Sequence, residues 1–147
     1  MTNIGIILCA RYQLCGGGKC FRALRERRGG FARYAPEEQV DIVGFTSCGG
    51  CPGGNVEAVM PEFVRNGVQV VHLATGLVVG YPPCPRIRSF QTYIETVFGL
   101  PVVLGTHPIP RKYLDAHQRL PFWKASRMND IAGPLLAEER DVMEAYN

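Results

Sequence analysis

Six cysteines carry most of the chemical potential of this chain, and two of them stand at a spacing with a defined use. Cys48 and Cys51 flank a glycine pair in the run Thr46-Ser47-Cys48-Gly49-Gly50-Cys51-Pro52-Gly53-Gly54. A C-x2-C spacing lets two sulfurs face one point, as a metal ligand pair or a redox dithiol requires. The glycines clear side chains from around that point and permit positive φ, so backbone N–H groups can turn toward a thiolate. Cys9, Cys15, Cys20 and Cys84 complete the set, and no cysteine follows. An even number of cysteines would suit a disulfide scaffold, but a chain of 147 residues that is 46% hydrophobic can build its own core without staples.

Such residues matter only if the fold gathers them. Short apolar, β-branched runs at residues 3–9, 40–46, 68–74 and 101–105 read as buried strands. Between them lie helical patterns. One spans about 19–28, with Phe21 and Leu24 inward and Gly29-Gly30 as its stop. A second carries Val56, Val59, Met60, Phe63 and Val64, with Pro61 expected to kink it or split it. A third starts at Cys84-Pro85 and carries Ile87, Phe90, Ile94, Val97 and Phe98 up to Gly99. Residues 10–19 and 76–83 read as loops. Strands alternating with helices predict an α/β fold: three layers, with about four parallel strands and helices on both faces, flavodoxin-like or Rossmann-like. The expected division is an α/β metal-binding domain at 1–107 and a helical C-terminal extension at 108–147. The extension holds prolines at 108, 110, 121 and 134, with Leu135, Leu136, Val142 and Met143 on its apolar side. It is expected to form two or three short helices packed on the same domain or on a dimer partner.

Right-handed crossovers put every strand-to-helix loop at one edge of such a sheet, the edge where open α/β sheets bind ligands. Cys9, Cys48, Cys51, Cys84 and His107 all fall at that edge, and Cys15 and Cys20 lie in or just after the first of its loops. Cys20, Cys51 and Cys84 are also expected at or just before helix starts, where the helix dipole stabilises a thiolate. Thiolates near glycine-rich N–H groups favour an iron–sulfur cluster, of the [4Fe–4S] type, over zinc as the alternative. No carboxylate stands beside the cysteines as a general base, which argues against a zinc hydrolase. Arg11, Arg86 and Arg88 follow Cys9 and Cys84 and are candidates to offset thiolate charge or to contact an anionic ligand. His72 reads as a core histidine and His117 as a solvated one.

These features together resemble the CGGC domain family. The resemblance rests on Ile4-Gly5-Ile6-Ile7 with Cys9, on Val43 to Gly53 around Cys48-Gly49-Gly50-Cys51, on Val71-His72-Leu73-Ala74, on Cys84-Pro85, and on Leu104-Gly105-Thr106-His107. It implies a metal-binding domain rich in Cys and His, and it implies Cys9, Cys15, Cys48, Cys51, Cys84 and His107 as site positions. Cys20 is an additional candidate. The family pattern often has cysteine where Thr75 stands, which implies a smaller centre or an open coordination position.

The function expected is therefore metal or cluster binding in redox, sulfur or metal handling, with a redox or metal-transfer partner and a small anionic ligand. Whether the protein is an enzyme stays open. A thiol–disulfide oxidoreductase using Cys48 and Cys51 and a zinc-stabilised interaction module, dimerised through the extension, are the alternatives. The net charge of +3 with no long basic run argues against nucleic acid. The absence of a long apolar segment argues against a membrane, and the expected location is the cytoplasm.

Overall fold

The computed structural model describes residues 1–13 and 15–147; residue 14, inside the expected 10–19 loop, lies outside the described residues. Four strands, β1 (Thr2–Leu8), β2 (Val40–Ser47), β3 (Val70–Leu73) and β4 (Val102–Leu104), form one sheet in the order β2-β1-β3-β4. Every pairing is parallel. The chain leaves β1 toward β2 on one side and returns past β1 to β3 on the other. The loops after β1 and β3 therefore part at the carboxyl ends of the strands, which is where this topology opens a ligand crevice.

Helices α1 (Gly18–Glu26), α2 (Asn55–Arg65), α3 (Thr75–Val79) and α4 (Ile87–Phe98) connect the strands. Side chains alternate across a strand, so each one feeds two faces. Ile4, Ile6 and Val70 pack with Ala23 and Leu24 of α1 and with Phe31 and Tyr34. Ile7, Val71 and Leu73 pack on the opposite face with Val56, Met60 and Phe63 of α2 and Ile87, Phe90 and Ile94 of α4. The fold is α/β with helices on both faces, as the alternating pattern predicts.

One irregularity in the sheet positions the cysteines. Ile4 pairs with Ile42 but Gly5 pairs with Gly44, so Val43 is an extra residue in β2. The shifted register ends with Leu8 opposite Ser47, and the Cys48 N–H continues the ladder onto the Leu8 carbonyl at 2.8 Å. Cys48 thus lies beside Cys9, one residue past the strand ends. Without the extra residue Ser47 would take that place. The flanking glycines have a packing reason: a Cβ on Gly5 or Gly44 would stand 2.5 or 2.6 Å from the ring of Phe63. The ring of α2 lies against bare backbone on both strands where the bulge occurs.

Several local expectations need correction. Helix α1 turns its Cys20, Ala23 and Leu24 inward, while Phe21 is exposed and rests on Phe45 with ring centroids 5.4 Å apart. It stops at Arg27, which takes the left-handed conformation (φ +55°), two residues before the glycine pair. Helix α2 runs as one piece through Pro61, because Pro61 is on its exposed side and the carbonyl that the ring leaves free can meet water. The expected loop at 76–83 begins as the buried helix α3; its TGLVV sequence is apolar after Thr75 and carries no periodicity to reveal it. Val64 and Val97, expected inside, are exposed at 47% and 61%.

Beyond β4 come α5 (Arg111–His117), α6 (Pro121–Ala125), α7 (Met128–Ala132) and α8 (Arg140–Glu144), against the two or three short helices expected. Their buried residues Leu114, Trp123, Met128 and Met143, with Leu135 of a 3-10 helix at Gly133–Ala137, belong to the core that α2 and α4 build. Tyr146 belongs to the core on the α1 side. Among the described residues no helix is long and apolar enough to cross a membrane.

His72, in β3, has no exposed surface and is fully used by structure. Its Nδ1–H donates to the Gly105 carbonyl, and Nε2 accepts from the Tyr34 hydroxyl, both at 2.8 Å. Burial holds its pKa down at about 4, against the pull of the Gly105 carbonyl. The folded protein therefore keeps His72 neutral where the unfolded chain would protonate it. Stability is expected to fall by about 3 kcal/mol as pH drops from 6.5 to 4 and to level off below, where both states bind the proton. Urea unfolding across that range, with His72→Asn removing this part of the slope, measures the effect.

Candidate metal centre

At the carboxyl edge of the sheet lies a cavity of about 410 Å³, and Cys9, Cys48, Cys51 and Cys84 line it together. Three loops deliver them. Cys9 follows β1 directly and is the N-cap of a 3-10 turn at Ala10–Tyr12. Cys48 follows β2 and is buried, whereas Cys51 is exposed on the turn that follows. Cys84 comes two residues before Arg86, the N-cap of α4. The expected link between cysteines and helix starts holds loosely: α2 begins only at Asn55, and Cys20 is the third residue of α1.

The turn that carries Cys48 and Cys51 is tied down by its own polar groups. Asn55 Nδ2 donates to the Ser47 carbonyl at 2.7 Å and to Thr46 Oγ1 at 3.2 Å. The Gly49 N–H donates to Ser47 Oγ at 3.1 Å, and the Gly53 N–H to the Gly50 carbonyl at 2.7 Å. Gly53 is required twice over: its φ is +89°, and a Cβ there would stand 2.4 Å from the Phe90 ring.

The four sulfurs share one electrostatic environment. Burial pushes the Cys9 thiol above its ordinary pKa, N–H groups of Arg11 and Tyr12 pull it back, and Cys48 and Cys51 push it further up. Burial also raises Cys84; the Arg86 N–H opposes this, while Cys9, Cys48 and Cys51 reinforce it. Raised pKa values favour the neutral thiol at Cys9 and Cys84, and a bound cation would favour the thiolate instead. Among the described residues, no three His, Cys, Asp or Glu side chains close on a point at the range a single bound ion needs. The thiols stand around the cavity wall instead.

Tyr12 forms part of that wall, and nothing in sequence spacing points to it. Its hydroxyl donates to the Tyr81 carbonyl at 2.6 Å and accepts the Tyr81 N–H at 2.9 Å. It thereby ties the loop before Cys84 to the turn after Cys9. A Cβ on Gly80 would stand 2.4 Å from its ring. Leu77, Pro82, Pro83, Pro85 and Phe90 complete a mostly apolar lining.

The remaining candidates lie elsewhere. Cys15, Thr75 and His107 line a second cavity of about 180 Å³ with Lys19 and Tyr113, separated from the first by Tyr12 and Gly76, which border both. His107 Nδ1–H donates to the Pro108 carbonyl at 2.6 Å, and its ring stacks on Tyr146 at 6.3 Å. Burial depresses its pKa; the Pro108 carbonyl opposes this and the Lys19 charge adds to it. The Thr75 hydroxyl donates to the His107 carbonyl at 2.5 Å and accepts the Thr106 N–H at 3.0 Å. Cys20 is buried inside α1 with its Sγ donating to Thr106 Oγ1 at 3.2 Å, and burial raises its pKa. Arg11 and Arg86 line the four-thiol cavity. Arg88 does not; two residues further along, it donates to Gln91 at 3.0 Å and borders a different cleft with Val102 and Leu104.

The model of the CGGC domain matches residues 3–107. The chain belongs to the CGGC domain family. An uncharacterized protein of Methanocaldococcus jannaschii is 33% identical over 119 residues, which is 75% of this chain and 90% of that protein. A second uncharacterized protein of the same organism is 34% identical over 62 residues, 42% of this chain and 92% of its own length. No solved structure matches. The four thiols of the larger cavity all come from the CGGC domain, two of them from the Cys48-Gly49-Gly50-Cys51 string itself.

The Tyr12 tie gives a local test. Tyr12→Phe removes both of its hydrogen bonds at a cost of about 1–2 kcal/mol. Hydrogen–deuterium exchange is expected to speed up at the Tyr81 amide and to stay unchanged in β1 and β3. Unaltered exchange at Tyr81 would show that the loop is held by its prolines alone.

Proposed function

We propose that the protein binds an iron–sulfur cluster in the four-thiol cavity, with Cys9, Cys48, Cys51 and Cys84 as its ligands. The observation that carries this reading is that four thiols from three loops line one cavity of about 410 Å³. A single zinc ion draws its sulfurs to about 2.3 Å from one centre, whereas a cluster takes its thiolates around its periphery. The remaining features fit. The backbone N–H groups of Arg11, Tyr12 and Arg86 already favour charge on Cys9 and Cys84. The apolar wall of Leu77, Pro82, Pro83 and Phe90 limits water around the sulfurs.

When bound, the cluster supplies electron-transfer chemistry. The chain's own residues hold and shield it. Cys48 anchors from the buried side and Cys51 from the exposed side, and the Tyr12–Tyr81 tie keeps the loop that bears Cys84 against the loop after Cys9. In this reading Cys15, Cys20 and His107 are not ligands.

Protein purified without oxygen is expected to be coloured, with iron and acid-labile sulfide in comparable amounts. Serine at position 9, 48, 51 or 84 should remove most of both, while Cys15→Ser, Cys20→Ser and His107→Ala should leave them unchanged. Colourless protein with stoichiometric zinc would contradict the cluster and favour the interaction module. Colourless metal-free protein with a redox-active Cys48–Cys51 pair would favour the oxidoreductase.

A further inference from the structure

The four-thiol cavity has a second chemical character at its rim. Arg11 and Arg86 are its two lining cations, and they occupy equivalent positions: each stands two residues after a cavity cysteine, in Cys9-Ala10-Arg11 and Cys84-Pro85-Arg86. In both, the backbone N–H of the arginine faces the sulfur, and the residue lines the same cavity. In both, the guanidinium lies near an aromatic ring of the cavity wall, Arg11 at 6.0 Å from the Tyr12 centroid and Arg86 at 5.7 Å from that of Phe90. Neither guanidinium forms a salt bridge with a carboxylate among the described residues. The two arms rise from different loops, one after β1 and one before α4.

We propose that this rim binds a small dicarboxylate, one carboxylate at Arg11 and the other at Arg86, with its carbon skeleton over the sulfur site. A guanidinium offers paired donors that match a carboxylate, and an aromatic ring beneath it restricts its motion before the ligand arrives. Two cations on separate loops favour a ligand with two separated charges over a compact one. The same cavity is lined by Leu77, Pro82, Pro83 and Phe90, apolar side chains that suit hydrocarbon. The inference rests on the four-thiol cavity being the functional site but not on which metal it holds.

The test is calorimetric titration of the protein as purified without oxygen, using malonate, succinate, glutarate and adipate in turn, with acetate and sulfate for comparison. Metal and sulfide are measured on the same samples, so loss of the cluster reading and loss of this one are told apart. One or two neighbouring chain lengths are expected to bind best, and acetate and sulfate at least about tenfold more weakly. Arg11→Gln and Arg86→Gln should each weaken that binding about tenfold. Arg88→Gln should leave it unchanged. Binding that ignores both substitutions, no binding at millimolar dicarboxylate, or sulfate binding as tightly as the best dicarboxylate would overturn the proposal. Unchanged metal content and unfolding curves in the variants separate loss of the ligand from loss of the fold.

Discussion

Between Ile4 and Gly5 the pairing of β1 with β2 slips by one residue, and the position of Cys48 depends on that slip. Side chains alternate along a strand, so a shift of one changes both the neighbour and the face of everything that follows. With Val43 inserted, the strand ends bring Cys48 beside Cys9. The slip is held from above by Phe63, whose ring covers Gly5 and Gly44 so closely that neither can carry a side chain. A buried aromatic on α2 is thus part of the sulfur site although it lies well down the sheet from it.

Given that register, the parallel topology does the rest. The loops after β1, β2 and β3 emerge at one edge, and the change of winding direction at β1 opens the space between them. Four thiols in that space repel one another as thiolates, and burial adds to the cost for Cys9 and Cys84. Protonated, the thiols are neutral; for thiolates, N–H groups and a bound cation are the two available remedies. The chain provides the first through the turn at Ala10–Tyr12 and the approach to α4. Tyr12 stands between this chamber and the smaller one, in which Cys15, Lys19 and His107 face a different space.

Much of this was legible in the residues. Apolar runs of strand length separated by helical periodicity led to the sheet, and the order of connections led to its edge. Cys9, Cys48, Cys51 and Cys84 each sit near a strand or helix end, so topology alone could bring them together. What stayed hidden depends on contacts between distant segments. The bulge at Val43 leaves no mark in a run that is apolar on both sides of it. Cys15 and His107 sit at the right edge of the sheet, but a tyrosine wall divides that edge, and spacing does not report walls. Arg88 shares its helix with Arg86 yet points to another cleft, since two residues on a helix turn a side chain through more than half a circle. Helix α3, apolar at nearly every position, carries no amphipathic pattern by which to find it.

The central claim is that Cys9, Cys48, Cys51 and Cys84 act as one set and the other two cysteines do not. Differential alkylation of protein purified without oxygen, read residue by residue in a mass spectrometer before and after chelation, tests it directly. The account predicts that all four are shielded together and become reactive together, exposed Cys51 included, while Cys15 reacts equally in both samples. Cys51 and Cys84 reacting at the same rate with and without chelation, or Cys15 sharing their protection, would contradict it.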